Sequence, residues 1–100
     1  MIDWSRVQGF DWDAGNARKS VDKHGVSQAE AEQMFFNQPL LTLADAKHSD
    51  VEPRFHALGH SNDRRLLHVT FTLRHDETRI RVISARDMNR KERIVYEQVS

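Results

Sequence analysis

The feature that most constrains the fold is a pair of strand-like segments near the C-terminus, joined by a short polar turn. Residues 65–73 have the β-branched and aromatic content of a central strand, residues 75–77 predict a hairpin turn, and residues 78–85 alternate in polarity. The two-residue period of a strand divides the second segment into one face with Ile80, Val82 and Ser84 and another with Arg79, Arg81, Ile83 and Ala85. Strands that meet through short turns predict an antiparallel sheet.

Three further segments have strand character. They are a short edge strand over residues 8–12, a strand over residues 40–43 and a strand over residues 54–59. A polar loop over residues 45–53 separates the last two, and turn-forming residues at 61–64 lead on to the central strand.

Capping residues mark two helices in the N-terminal half. Asp13 is a suitable N-cap for a helix over residues 14–23, and Gly25 suits the left-handed conformation that ends a helix. Ser27 followed by Glu30 has the spacing of a capping box and begins a second helix.

A third helix is predicted over residues 88–98, where apolar residues recur near helical spacing. The elements together predict an α+β fold, with an antiparallel sheet and the N-terminal and C-terminal helices packed on one of its faces. One hundred residues fit a single domain over residues 1–100.

Composition excludes several kinds of protein. The chain has no cysteine, so it can hold neither a disulfide nor a thiolate zinc site. No apolar run approaches the roughly 18 residues that cross a bilayer, and the N-terminal residues lack the pattern of a secretory signal. We therefore expect a cytoplasmic protein with no membrane partner.

The formal net charge of zero hides an asymmetry along the chain. Residues 1–63 carry six Lys and Arg against ten Asp and Glu, whereas residues 64–100 carry nine basic against five acidic residues. Eight of those nine basic residues are arginine, which makes flat bidentate contacts with phosphate. Either the C-terminal part presents a basic face to a polyanion, or these residues simply form a solvated surface.

Four motifs stand in order between about residues 8 and 97. They are Phe10-x-Trp12-Asp13, then Lys23-His24-Gly25-Val26-Ser27 with Glu30-Ala31 and Phe35, then His48-Ser49-x-x-Glu52-x-Arg54 with Gly59, and finally Arg81-Val82-Ile83-Ser84-Ala85-Arg86 with Glu92 and Tyr96. Together they resemble the signature of the BrnT family of toxins. Asn16, Ser20 and Gln28 depart from the residues common in that family.

The resemblance implies a compact fold similar to that of RelE-type ribonucleases. It also implies that the protein is the toxin of a type II toxin–antitoxin pair, which cleaves RNA, arrests growth and needs no cofactor. The implied partners are an RNA substrate and a dimeric BrnA-like antitoxin, and operator DNA is contacted only through that antitoxin.

Metal-free cleavage of RNA uses the ribose 2′-hydroxyl as nucleophile. It needs a proton acceptor, a proton donor and cations that offset the charge developing on phosphorus. Within the matched motifs, the predicted catalytic residues are His24, Arg54, Arg81 and Arg86. A strand end gives Arg81 and Arg86 rigid support and an open face for phosphate. The competing interpretation is an internal pair with Asp13, Glu52 or Glu92.

Two of these residues have equally plausible structural roles. His24 precedes Gly25 at a predicted helix C-terminus, where the helix dipole favours the protonated imidazole but where a histidine is also a common stabilising cap. Arg54 could join the other arginines, or it could pair with Glu52 and fix the loop.

Four more residues are predicted to contact RNA, namely Lys23, Arg79, Arg90 and Tyr96. Lys23 could bind the RNA backbone or cap its helix. Tyr96 follows Glu92 by four residues and could stack on RNA, although a tyrosine at this spacing more often packs on the sheet.

A metal site is not expected. His56 and His60 are four residues apart, which in a strand is about 13 Å and too far for one ion. His68 and His75 lack partners at ligand spacing, and no phosphate-binding glycine loop is present.

Two alternatives to a ribonuclease remain. One is a binding module that does not cut, such as a degenerate toxin kept as a co-repressor with its antitoxin, and the other is a structural domain without a ligand. Candidates for the antitoxin-docking surface are the edge strand at residues 8–12 and the leucines at Leu40, Leu41 and Leu43.

Overall fold

A sheet of five strands carries helices on both faces. The computed structural model describes residues 2–49 and 51–100, so Asp50 of the predicted polar loop lies outside the described residues. The elements in chain order are β1 (Gly9–Phe10), α1 (Ala14–His24), α2 (Gln28–Gln33), β2 (Leu41–Ala44), β3 (Phe55–His60), β4 (Leu66–Arg74), β5 (Arg79–Asp87) and α3 (Arg90–Glu97), with short 3₁₀ turns at Trp4–Arg6, Met34–Phe36 and Ala46–His48. The predicted α+β class is confirmed. No helix among these described residues is long and apolar enough to cross a membrane.

Strand direction matches the prediction for four of the five strands. The order across the sheet is β1-β5-β4-β3-β2, and strands β2 to β5 form the predicted antiparallel meander. The sheet is mixed, however, because the edge strand β1, which the antiparallel prediction did not separate from the others, runs parallel to β5 through Gly9–Arg79 and Phe10–Ile80. Short turns fix the relative direction of consecutive strands, but most of the chain lies between β1 and β5, so no turn constrains this pair.

A β-bulge changes the facing of residues in β5. Phe71 pairs with Val82, whereas the preceding Thr70 pairs with Ser84, so Ile83 is an extra residue opposite the junction. Ala85 therefore returns to the face of Val82 and is completely buried. The predicted placement of Ala85 on the face opposite Val82 is wrong, because strict alternation stops at the bulge.

The central strand β4 separates two faces of the sheet. The core face carries Leu67, Val69 and Phe71, and it is covered by Val26, by α2 through Ala31 and by Met34 just after it; all of these side chains are buried. The residues that alternate with them, such as His68, define the outer face.

Helix α3 lies on the outer face, so the prediction that all helices pack on one face is wrong. The Tyr96 hydroxyl accepts a hydrogen bond from His60 Nδ1 (2.9 Å) and donates one to the Pro39 carbonyl (2.7 Å). His60 alternates with Gly59, which contacts Met34 on the core face. Apolar spacing shows that a helix has a buried side, but it does not show which face of a sheet receives that side.

The predicted helix boundaries are set by their caps. Asp13 and Asn16 form a reciprocal capping box at α1, and Ser27 and Glu30 form another at α2. Gly25 ends α1 with φ 65°, in the left-handed region that glycine adopts without strain. Both capping predictions are confirmed.

Helix α1 also closes an open edge of the sheet. Because β1 is only two residues long, no strand of the described part of the chain pairs with β5 beyond Ile80 on that side. There the Asn16 Nδ2 donates to the Val82 carbonyl (3.1 Å), and the Ala85 N–H donates to the Ser20 hydroxyl (2.8 Å). Two side chains thus satisfy buried backbone groups that a longer strand would otherwise bind.

The substitution Ser20→Ala should destabilise the protein by about 1–3 kcal/mol, because it leaves the buried Ala85 N–H without an acceptor. Urea unfolding monitored by circular dichroism measures the change. The control Ser5→Ala removes an exposed hydroxyl and should change the free energy of unfolding by less than about 0.5 kcal/mol. Equal effects of the two substitutions would contradict this role for Ser20.

Candidate functional site

Four basic side chains form a row on the outer face of the sheet, and the row crosses three strands. The rings of His56 in β3 and His68 in β4 have centroids 5.0 Å apart, and Arg86 in β5 is the direct cross-strand partner of His68. Arg54 comes two residues before His56, and its carbonyl accepts from the Asp45 N–H (2.7 Å), which extends the ladder to Arg54. We call Arg54, His56, His68 and Arg86 the imidazole–guanidinium row.

His56 is held at both ring nitrogens. Its Nε2 lies 2.8 Å from Asp45 Oδ2, and its Nδ1 lies 3.0 Å from the Thr70 hydroxyl. Because an ionised carboxylate only accepts, Nε2 donates to Asp45 and the Thr70 hydroxyl donates to Nδ1 when the ring is neutral. The hydrogen bond from His56, with further bonds from His48, lowers the pKa of Asp45 to about 2. The His56 ring is therefore fixed and has no free nitrogen.

His68 is the titratable group in the row whose environment favours its neutral form. Burial, followed by the positive charge of Arg86, lowers its pKa from the ordinary value, and the charge of Glu92 opposes this only in part. Its Nδ1 is buried with no hydrogen-bond partner among the described residues, and its Nε2 lies 3.9 Å from Glu92 Oε2. A neutral imidazole at this position can accept a proton.

Arg86 forms a two-pronged pair with Glu92 of α3. Its two terminal nitrogens lie 2.8 and 3.0 Å from the two carboxylate oxygens, and this contact raises the pKa of Arg86. Burial opposes ionisation of Glu92, but the bonds from Arg86 and the Asn89 N–H outweigh it and lower the pKa of Glu92. About one third of the Arg86 side chain stays exposed, which leaves its outer edge accessible.

Arg54 lines a shallow hollow beside Lys47 and His48, next to the Asp45–His56 pair. Its Nε is buried and has no hydrogen-bond partner among residues 2–49 and 51–100. Glu52, predicted as a possible partner of Arg54, instead pairs with Arg74 at 3.0 Å from both of its oxygens. The guanidinium of Arg54 is thus anchored on the outer face at one end of the row.

Arg81 shares the outer face but is engaged elsewhere. Its NH2 lies 2.9 Å from Asp13 Oδ2, and its NH1 lies 3.5 Å from Asp11 Oδ1. The hydrogen bond from the Asn16 N–H lowers the pKa of Asp13 most, and the hydrogen bond from Arg81 lowers it further. The open face expected for Arg81 is occupied by carboxylates. Arg81 pairs with Thr72 and Arg86 with His68, four residues away on β4, which places the two arginines about 13 Å apart.

The remaining predicted site residues do not join the row. His24 and Lys23 are exposed at the end of α1, where the His24 carbonyl accepts a long bond from Arg65 (3.4 Å). Arg79 and Arg90 are exposed. Tyr96 is only 2% exposed and both sides of its hydroxyl are bound inside the protein, so the structure does not place Tyr96 where it could contact RNA.

A groove of about 400 Å³ opens beside the two imidazoles. Its apolar walls come from β2, β3 and α3, and its residues include Leu41, Leu43, Leu58, Val95, His56 and His68. Leu43 and Val95 are more than half exposed, so the groove presents apolar surface to solvent beside the imidazole–guanidinium row.

Sequence reasoning considered His56 and His68 only as metal ligands and did not include them in the site. The sequence did indicate them, because each histidine is a polar residue within an otherwise apolar, strand-like segment. Their closeness depends on the pairing of His56 with Thr70 and of Leu58 with His68, and strand register is not visible in the two segments. Among the described residues, no group of three or more histidines and carboxylates is arranged to hold a metal ion.

Comparisons with known proteins identify a family and a similar fold. A family model described as the ribonuclease toxin BrnT of type II toxin–antitoxin systems matches residues 12–92. The 1.1 Å crystal structure of the Brucella abortus ribonuclease toxin BrnT is similar, with a TM-score of 0.59 and 21% identity over 84% of this chain and 100% of that one. A comparison with curated proteins finds no significant match.

The protonation midpoint of His68 should lie below the ordinary value of about 6.5. Titration of the imidazole C–H signals by NMR measures it, with His68→Gln identifying the signal. Glu92→Gln should lower the midpoint further, because it removes a negative charge, and Arg86→Gln should raise it, because it removes a positive one. Shifts in the same direction would contradict this electrostatic assignment.

Proposed function

Because the chain belongs to the BrnT family of ribonuclease toxins of type II toxin–antitoxin systems, we propose that it cleaves RNA at the imidazole–guanidinium row without a metal ion. The family implies a protein antitoxin as partner. We further propose that this antitoxin is BrnA-like, that it alone contacts operator DNA, and that the free toxin arrests growth by cutting RNA in the cytoplasm.

The observation that carries this proposal is the position of a neutral histidine between cationic side chains. His68 lies 5.0 Å from the His56 ring and directly opposite Arg86, with Arg54 at the far end of the row. A polyanion that follows the row meets the guanidinium of Arg54 at one end, the Glu92-paired guanidinium of Arg86 at the other, and a proton acceptor in between.

In the proposed reaction, His68 takes the proton of a ribose 2′-hydroxyl. The 2′-oxygen attacks the adjacent phosphorus, a 2′,3′-cyclic phosphate forms, and the bond from phosphorus to the 5′-oxygen breaks. Water at the open face protonates the leaving oxygen, and the hydroxide that remains takes the proton from His68, which restores the neutral imidazole. The exposed edge of Arg86 faces the developing phosphoryl charge, and its pairing with Glu92 fixes the guanidinium before substrate arrives.

The other predicted arginines take supporting parts in this proposal. Arg54, in its hollow beside Lys47 and His48, binds a neighbouring phosphate. Arg81, paired with Asp13 and Asp11, stabilises the attachment of α1 to the sheet, and its remaining surface borders the RNA path. His24 and Lys23 lie outside the row and have no part in the proposed cleavage reaction.

A binding module without cleavage is the second candidate. The carboxylate pairs of Arg81 and Arg86 favour it, because each pair offsets positive charge that a phosphate would otherwise meet. Such a protein would bind RNA or act as a co-repressor with its antitoxin.

Incubation of the purified protein with single-stranded RNA and a chelator distinguishes the two candidates. Cleavage should persist in chelator, and His68→Gln should reduce its rate by at least about 100-fold, as expected for the loss of a general base. Arg86→Ala should cause a loss of similar size, because it removes charge stabilisation in the transition state.

The matched control is Arg18→Ala, which removes an exposed arginine from α1 and should leave cleavage unchanged. Binding of RNA without cleavage would favour the second candidate. Full cleavage by His68→Gln, or complete dependence of the wild type on added metal, would refute the proposed chemistry.

A further inference from the structure

The apolar walls of the groove beside the imidazole–guanidinium row have no part in the chemistry proposed above, although His68 also lines the groove. Its volume of about 400 Å³ lies at the small end of ligand-binding clefts, which range over about 300–1,000 Å³. Leucine side chains and Val95 form its walls, and the tilted rings of His56 and His68 belong to its lining. It is therefore an apolar slot with two flat aromatic groups, open to solvent on one side.

The hydrogen-bonding groups of the slot are mostly engaged. Both ring nitrogens of His56 are bound, and both oxygens of Glu92 accept from Arg86. An occupant would be held by stacking and apolar contact, and few hydrogen bonds would be available to recognise its polar groups.

Charge at the border of the slot favours a nucleic acid over a protein segment. Arg86, paired with Glu92, lies at one side. At the other side Lys47, His48 and Arg54 line the hollow together with Glu52, whose carboxylate is paired with Arg74. A phosphate backbone contacting these groups would bring its bases over the slot, and single-stranded RNA is commonly bound by stacking on flat side chains.

We propose that this slot, the region between Leu43, Val95 and the rings of His56 and His68, binds an unstacked nucleobase of single-stranded RNA. The proposal rests on RNA being the ligand of this face, but it does not depend on cleavage. Since stacking area decides the affinity, the slot should prefer purines to pyrimidines and read little else of the sequence.

Binding of uncleavable oligonucleotides tests the slot independently of catalysis. The probes are 2′-O-methyl oligoadenylate, oligouridylate and an abasic oligomer of the same length, with affinity measured by fluorescence anisotropy. Wild-type protein should bind the adenylate more tightly than the uridylate, and about 10-fold more tightly than the abasic oligomer, the loss expected when a stacked base is absent.

The variant Val95→Trp fills the mouth of the slot from α3. It should abolish the preference for adenylate over the abasic oligomer while leaving abasic binding unchanged. The matched control Val21→Trp changes another half-exposed helical valine, on α1, and should retain the preference. Because the comparison of probes on the wild type needs no substitution, it also tests the slot if either variant folds poorly.

Several outcomes would overturn the proposal. One is equal affinity of the wild type for the adenylate and the abasic oligomer, and another is an unchanged preference in folded Val95→Trp. A third is a Val95→Trp protein that binds RNA normally but is no longer neutralised by its antitoxin, which would assign the slot to the antitoxin. Base-dependent binding without cleavage would uphold the slot and refute only the proposed catalysis.

Discussion

The pairing of β4 with both of its neighbours is the constraint on which the rest of the structure depends. Its core-face residues Leu67, Val69 and Phe71 are completely buried, and a shift by one residue would send them to the outer face. The same register places His68 between the neighbouring strands, diagonal to His56 and opposite Arg86. Burial of the core thus fixes the geometry of the polar row, without any direct contact between the two sets of side chains.

Helix α3 supplies the carboxylate that fixes the conformation of Arg86 on the sheet. Asn89 caps the helix and holds the Glu92 backbone, so that the Glu92 carboxylate reaches Arg86 and lies near His68. A guanidinium on a strand could adopt several side-chain conformations, and the paired carboxylate selects one of them. The pairing also removes net charge from the row, so catalysis there would depend on orientation and on a neutral histidine more than on an excess of positive charge.

The sequence predicted local features well and long-range ones poorly. Asp13, Gly25 and the Ser27–Glu30 pair act through neighbouring residues, and the structure shows each as expected. The parallel pairing of β1, the bulge at Ile83 and the position of α3 depend on contacts between distant segments. The site follows the same division: Arg54, Arg81 and Arg86 were found from motifs, whereas the closeness of His56 and His68 requires the strand register.

The two histidines have different environments on neighbouring strands, and the two proposals assign them different roles. His56 is held at both ring nitrogens by Asp45 and Thr70. The Nδ1 of His68 is buried without a hydrogen-bond partner among the described residues, and burial lowers the pKa of His68. In the proposals above, the His56 ring stacks on a base, and His68, whose Nε2 lies 3.9 Å from Glu92 Oε2, accepts the proton. A single register holds both rings, so both proposed roles depend on the same pairing of β3 with β4.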